Sequence, residues 1–565
     1  MNAHTDTDTM VLLGDEAVAQ GAIDAGMGSA YGYPGTPSTE IMEYLLARKD
    51  SQSENSANGA GKRYFAAWCS NEKTAYEEAV GASMAGKRAL ITMKHVGLNV
   101  AADPFVNSAL LEINGGLVVA VADDPGMHSS QNEQDTRYFA QFARTLCLEP
   151  VNHQQAYDMT REAFTVSERF GVPVIIRLTT RISHSRGQVK TASPEPITER
   201  GKANDPASWM LLPAFARKRW DILLEKQKNL AEYTKKSGFI IYNTTEQQTS
   251  DENRKNADTK NKTVFASGQT GIITCGLGYN YLMENKKELG DIRHFLHIGA
   301  YPVDETVIAD FCSKVESILI IEEGDSFLED KIRGMIPSKT VRGRGDGSIP
   351  RTGELNPDIV RKAVGLKPLA HAEKTEMDLP KRPPQLCKGC PHRDSYDFIK
   401  EAAKAFNQVT ITADIGCYAL GALPPYQLPE AILCMGASVS MAKGAAEAGS
   451  TPAVAVIGDS TFYHSGITGL VDAVSVNTPV TIVILDNSTV AMTGGQETIR
   501  PSSALEPLIL GVGVQKAHIK VLEAHKKYFE KNTEIMKQEM EYDGVSVIIA
   551  VRECLETARS FKKGS

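Results

Sequence analysis

At 565 residues the chain is too long for one hydrophobic core and is expected to divide into about three or four domains. Lys and Arg total 61 against 69 Asp and Glu, for a net charge of -8 with 42% hydrophobic residues, which excludes a basic nucleic-acid-binding face. No window holds about 18 uninterrupted apolar residues and MNAHTDTDTM has no apolar signal core, so neither a membrane span nor export is expected and the cytoplasm is the expected location.

From Val11 to about His184, apolar runs such as ALITM (89–93), GLVVAVAD (116–123) and PVIIRL (173–178) alternate with helical segments, the rhythm of an α/β domain with a largely parallel sheet. SPEPITERGKANDPAS then breaks the pattern, and ARKRWDILLEKQKNLAEYTKK reads as an exposed amphipathic helix. A polar tract at 243–263 follows, expected to be a surface insertion or linker. Strands resume at TGIITCG (270–276) and SILIIEEG (317–324), giving a smaller α/β domain to about residue 370. A last α/β block runs from the proline-rich KRPPQ (381–385) to VSVIIAV (545–551). The expected boundaries are 1–190, a linker helix and insertion at 191–265, 266–372, and 380–556.

Within the last block, Gly458-Asp459-Ser460 follows the apolar run AVAVI (453–457), and Asp486-Asn487 follows VTIVIL (480–485). Both pairs therefore fall at the carboxyl ends of expected parallel strands, where open α/β sheets bind ligands. Asp459, the Asn487 side-chain oxygen and a backbone carbonyl near Thr489 are three oxygens suited to Mg²⁺, with a diphosphate and water completing its octahedron. The alternative is a buried strand-end Asp and an Asn in a turn.

Ten segments, taken together, resemble the α subunit of indolepyruvate:ferredoxin oxidoreductase over about residues 10–555. They are LLGDEAVAQGAIDAG, GYPGTPSTEI, NEKTAYEEAVGAS, MKHVGLNVAADPF, DDPGMHSSQNEQD, CKGCPHR, DIGCYALG, CMGAS, GDSTFYHSG and LDNSTVAMTGGQ. The resemblance implies a pyrimidine-binding domain, a transketolase-C-like domain and a diphosphate-binding domain in that order: a thiamine diphosphate (TPP)-binding fold twice, with an α/β domain between. It implies TPP and Mg²⁺ as cofactors, with Gly458, Asp459, Ser460, Cys417, Asn487 and Thr493 at the cofactor and Asp459, Asn487 and Thr489 at the metal. It places on Glu72 the carboxylate beside N1′ of the aminopyrimidine, although an acid at a helix start is also a favourable dipole contact.

Thr36 and Ser38, in the Gly-Pro-rich turn GYPGTPSTE, offer hydroxyls to a substrate carboxylate, or else cap that turn. His95, His128 and His464 lie inside motifs instead of on periodic apolar faces. His95 and His464 are the favoured proton-transfer candidates because they adjoin the cofactor motifs, and His128 is a candidate substrate contact. In the related pyruvate enzymes an arginine near the end of the strand matching GLVVAVADD holds the substrate carboxylate. Asp123-Asp124 stand there in this chain, which turns the expectation from pyruvate to a bulky aryl pyruvate.

The nine cysteines suggest reduced thiols, metal ligation or burial and not a disulfide framework. Cys387, Cys390 and Cys417 match three ligands of a [4Fe-4S] cluster in related β subunits, with Cys434 and Cys554 as candidates for the fourth; buried or cofactor-adjacent thiols are the other reading. Family members continue past VSVIIAVREC into a ferredoxin-like domain with two cysteine-rich motifs, and this sequence has neither. The expected activity is TPP-dependent oxidative decarboxylation of an aryl pyruvate to an acyl-CoA. A β subunit, a homodimer, or both, and an external acceptor such as ferredoxin are the expected partners. A non-oxidative decarboxylase or carboligase is the alternative.

Overall fold

The computed structural model describes residues 8–54, 64–244, 269–290, 292–369, 384–499 and 501–558. Most of the 243–263 tract lies outside these residues. The chain divides into two compact units, Met1–Lys374 and Thr375–Ser565.

The first unit carries two sheets. A seven-stranded sheet runs in the order Ala300–Tyr301, Leu146–Leu148, Val174–Thr179, Leu117–Asp123, Ala89–Lys94, Ser29–Gly32 and Phe65–Trp68, parallel except for its first member. Strands Ala89–Lys94, Leu117–Asp123 and Val174–Thr179 are buried at every residue, as strands covered on both faces by helices must be. A five-stranded sheet is ordered Thr340–Arg342, Ser317–Ile321, Thr270–Cys275, His294–Ile298 and Ile240–Thr244. Its last strand pairs antiparallel with His294–Ile298, so part of the segment expected as linker belongs to this sheet. The expected amphipathic helix is Pro213–Lys236, which buries Leu223 and Leu230. One apolar core spans both sheets.

The two sheets are also tied by buried ion pairs. Arg177 donates to Asp123 Oδ2 at 2.7 Å and to the Glu323 carbonyl at 3.0 Å, and also pairs with Glu149. Arg137 reaches Glu322 at 2.9 Å and pairs with Asp135.

The second unit holds a parallel six-stranded sheet in the order Ala431–Ile432, Thr410–Ala413, Ala453–Gly458, Val480–Asp486, Val545–Val551 and Ile519–Glu523. Along Ala453–Gly458 the side chains alternate between two cores: Ala453, Ala455 and Ile457 enter one, Val454 and Val456 the other. Among the described residues no helix is long and apolar enough to cross a membrane.

Candidate active site

In the first unit the chain leaves strand Ser29–Gly32 for Phe65–Trp68 on one side, then returns to Ala89–Lys94 on the other and continues outward to Leu117–Asp123. The connections thus diverge between Ser29–Gly32 and Ala89–Lys94, opening a crevice at their carboxyl ends, the topological switch point at which such sheets bind ligands. The turn bearing Thr36 and Ser38 follows the first of these strands, and His95 follows the second.

Glu72 opens the helix Glu72–Met84, whose free N-terminus is capped by Asn71 accepting from the Thr74 N–H at 2.8 Å. Its carboxylate is buried and lies against Gly97 of the short helix His95–Val100. His95 is buried, with Nε2 3.2 Å from the Asn132 carbonyl and Nδ1 without a protein partner. Burial holds its imidazole below the ordinary histidine value, against the opposing pull of Asp123.

The Ser38 hydroxyl donates to the Gly35 carbonyl at 2.8 Å, so it caps its own turn. The Thr36 carbonyl accepts from Ser129 Oγ at 3.0 Å. Asp124 organises the facing loop, accepting from the Ser129 N–H at 2.8 Å, Ser130 Oγ at 2.7 Å and Thr180 Oγ1 at 2.8 Å. His128, on that loop, is exposed, with Nε2 3.2 Å from Glu354 Oε2.

Lys94 is a crevice residue that none of the motifs singles out. It ends the buried strand Ala89–Lys94 and donates to the Ser129 carbonyl at 2.9 Å. Its sequence signal is a lysine closing a mostly apolar strand directly before His95.

In the second unit the connections diverge between Thr410–Ala413, which leads to the edge strand Ala431–Ile432, and Ala453–Gly458, which leads to Val480–Asp486. Asp414 and Cys417 follow the first of these strands, and Asp459 and Ser460 the second. Gly458 lies beneath the ring of Tyr418, where a Cβ would fall 2.7 Å from Cε1.

Asp459 is buried and accepts from the Ser460 N–H at 2.8 Å and the Ser488 N–H at 2.9 Å. Burial, and then the neighbouring Asp486 carboxylate, push Asp459 up to about 8. Asp486 Oδ2 and Ser460 Oγ are buried without a protein partner. Two adjacent buried carboxylates and an unpartnered hydroxyl form an oxygen donor set that a divalent cation would stabilise. Asn487 is buried beside them, its amide 3.4 Å from His392 Nε2 and its Oδ1 3.2 Å from the Thr489 N–H. Thr489 Oγ1 bonds the Gln496 carbonyl at 3.0 Å, and Thr493 Oγ1 bonds Gln496 Oε1 at 2.6 Å.

A family model described as pyruvate flavodoxin/ferredoxin oxidoreductase, thiamine diphosphate-binding, matches residues 20–257. A second, described as thiamine pyrophosphate enzyme, C-terminal TPP binding domain, matches 414–550. Indolepyruvate oxidoreductase subunit IorA of Archaeoglobus fulgidus is 37% identical over 574 residues, covering 97% of this chain and 86% of that protein. This chain belongs to the IorA family. The IorA subunits of Methanothermobacter thermautotrophicus and Pyrococcus abyssi are 36% and 35% identical, covering 97% of this chain and 87% and 86% of their own lengths. As an IorA-family chain it is a TPP-dependent 2-oxo acid oxidoreductase with two TPP-binding regions.

The other motif residues of this IorA-family chain also gather in the second unit. His464 is buried in a π-turn, Phe462–Gly466, and contacts Ser465. Gly389 approaches Leu555, so the Cys387–Cys390 turn lies against the segment bearing Cys554. Burial pushes Cys417 up to about 11, with Cys390, Cys554 and Cys387 adding to the shift. Cys554 therefore joins the trio electrostatically, whereas the shift of Cys434 comes from burial and then Asp414. Among the described residues no three His, Cys, Asp or Glu side chains are grouped to hold one metal ion.

Proposed function

We propose that this chain catalyses oxidative decarboxylation of an aryl pyruvate of the indolepyruvate type to an acyl-CoA. A partner subunit and an external acceptor such as ferredoxin complete the reaction. The bond between the carboxylate and the keto carbon breaks and carbon dioxide leaves. Two electrons and a proton depart, and the acyl carbon joins the sulfur of coenzyme A. The observation that carries this reading is the buried Asp459–Asp486 pair at a strand-end crevice in a chain whose full-length relatives are named indolepyruvate oxidoreductases.

TPP, when bound, supplies the electron sink that makes loss of carbon dioxide feasible. In this reading Asp459, Asn487 and the Thr489 backbone carbonyl hold Mg²⁺ against its diphosphate. Gly458, Ser460, Cys417 and Thr493 line the same cofactor. Glu72 holds a proton at N1′ of the aminopyrimidine. In the first unit His95 is the proton-transfer candidate and Thr36 the substrate-contact candidate; in the second unit His464 is the proton-transfer candidate, while Ser38 and His128 are engaged by Gly35 and Glu354. Cys387, Cys390, Cys417 and Cys554 would take a [4Fe-4S] cluster as the electron exit.

One feature supports an aryl substrate. Asp123 and Asp124 stand where the related pyruvate enzymes hold the substrate carboxylate with an arginine, and here they are engaged by Arg177 and by the 129–130 loop. The test is an anaerobic assay of the chain with its partner subunit, comparing indole-3-pyruvate, phenylpyruvate and pyruvate in CoA-dependent dye reduction. Aryl pyruvates should lead; a preference for pyruvate, or turnover indifferent to coenzyme A, would sink the assignment.

A further inference from the structure

The crevice of the first unit holds one buried cation to which the reading above gives no role. Lys94 sits at the carboxyl end of Ala89–Lys94, on the switch-point crevice, and is 8% exposed. Its aliphatic stem packs against Gly35, where a Cβ would fall 3.1 Å from Lys94 Cγ and Cδ. The turn bearing Thr36 thus packs tightly over the lysine, and a side chain at residue 35 would require the stem to shift by a few tenths of an ångström. The ammonium donates to the Ser129 carbonyl at 2.9 Å. Ser129 is itself held by Asp124 and by the Thr36 carbonyl. Among the described residues Lys94 forms no ion pair within 4.0 Å, so its charge is held by a neutral carbonyl with more distant carboxylates around it.

Burying an ammonium without a paired carboxylate is costly, and a fold that keeps one does so at the expense of stability unless an anion completes it. We propose that Lys94 receives the carboxylate of the 2-oxo acid substrate. The proposal deepens the 2-oxo acid reading and rests on it. It identifies the cation that Asp123 and Asp124 do not supply, and it puts that cation one residue from His95 and within electrostatic reach of Glu72. A carboxylate held there would direct the adjacent keto carbon into the crevice.

The titratable groups facing Lys94 are Glu72 from the helix start, Asp124 from the neighbouring strand end, and His95 beside it in sequence. Burial pulls Lys94 down to about 8, with Asp124 and then Glu72 opposing that fall. Substrate capture requires the protonated amine, so kcat/KM should decline as pH rises through about 8.

The experiment uses the full chain with its partner subunit and TPP, with phenylpyruvate as probe. Lys94→Met keeps the stem and removes the charge. KM for phenylpyruvate should rise on the order of 10- to 100-fold, as expected for loss of a hydrogen bond to a charged group. The alkaline limb of kcat/KM should vanish, while exchange of the cofactor's C2 proton stays near wild type. Lys94→Gln provides a second variant should the methionine perturb folding. An unchanged KM together with an unchanged alkaline limb would overturn the proposal. So would loss of C2 exchange in both variants, because Lys94 would then be serving the cofactor. Absence of C2 exchange in the wild-type protein would instead overturn the TPP assignments, and the inference with them.

Discussion

Gly97 and Glu72 are in direct contact: a Cβ on Gly97 would fall 2.6 Å from Glu72 Oε1 and 2.8 Å from its Cγ. Glu72 is buried at a helix start and Gly97 belongs to the short helix after Lys94, so the carboxylate's place depends on an absent side chain in another element.

Gly97→Ala should therefore act as a displaced Glu72. The methyl cannot be accommodated without moving the carboxylate, and general acid–base assistance is worth about two or more orders of magnitude. Turnover should fall by about that factor in Gly97→Ala and in Glu72→Gln alike, with TPP binding retained in both. Calorimetric binding paired with C2-proton exchange checks this: normal exchange in Glu72→Gln removes the assignment.

Asp459→Ala should abolish metal-dependent cofactor binding. The substitution removes one of two adjacent buried carboxylates and leaves the diphosphate charge poorly neutralised. Titration of TPP with and without Mg²⁺ is the measurement. Native affinity in the presence of Mg²⁺ would place the diphosphate elsewhere.

Arg177→Met should destabilise the first unit by about 3–5 kcal/mol, since it leaves Asp123 and Glu149 buried without their shared cation. Burial alone would raise Asp135, yet Arg137 and Arg177 hold it well below the ordinary carboxylate range. A depressed folded-state pKa contributes stability above the unfolded value of about 4, and that contribution is lost as pH falls through the folded value. The variant should consequently unfold at higher pH on the acid side than the wild type. Denaturant melts between neutral and acid pH test both statements, and a shift under about 1 kcal/mol would contradict the burial argument.

Cys554→Ser should lower the iron content and the broad visible absorbance of anaerobically purified protein, whereas Cys434→Ser should leave both unchanged. The contrast follows from the Cys387–Cys390 turn packing, through Gly389, on Leu555 beside Cys554, whereas Cys434 interacts with Asp414. Equal effects of the two substitutions would remove the cluster from this site.

The long buried strands and the family were legible in the residues alone, whereas short strands such as Ser29–Gly32, Phe65–Trp68 and Ile519–Glu523 were not. Uniform apolar runs bounded by turn residues state burial on both faces directly, so Ala89–Lys94, Val480–Asp486 and Val545–Val551 were legible to within a residue. Asp459 and Asn487 were legible as site candidates because each follows such a run, and the ends of parallel strands are where the backbone leaves the sheet. Three things were decided only by the tertiary structure. Pairing of Ile240–Thr244 with His294–Ile298 depends on a contact across about fifty residues that no local pattern encodes. The Ser38 hydroxyl turns inward to its own turn, while His128 swings to Glu354, because side-chain direction follows neighbours from other elements. Lys94 and Gly97 acquire meaning only from what packs on them: a lone lysine and a helical glycine are unremarked in sequence until Gly35 and Glu72 arrive from distant segments to touch them.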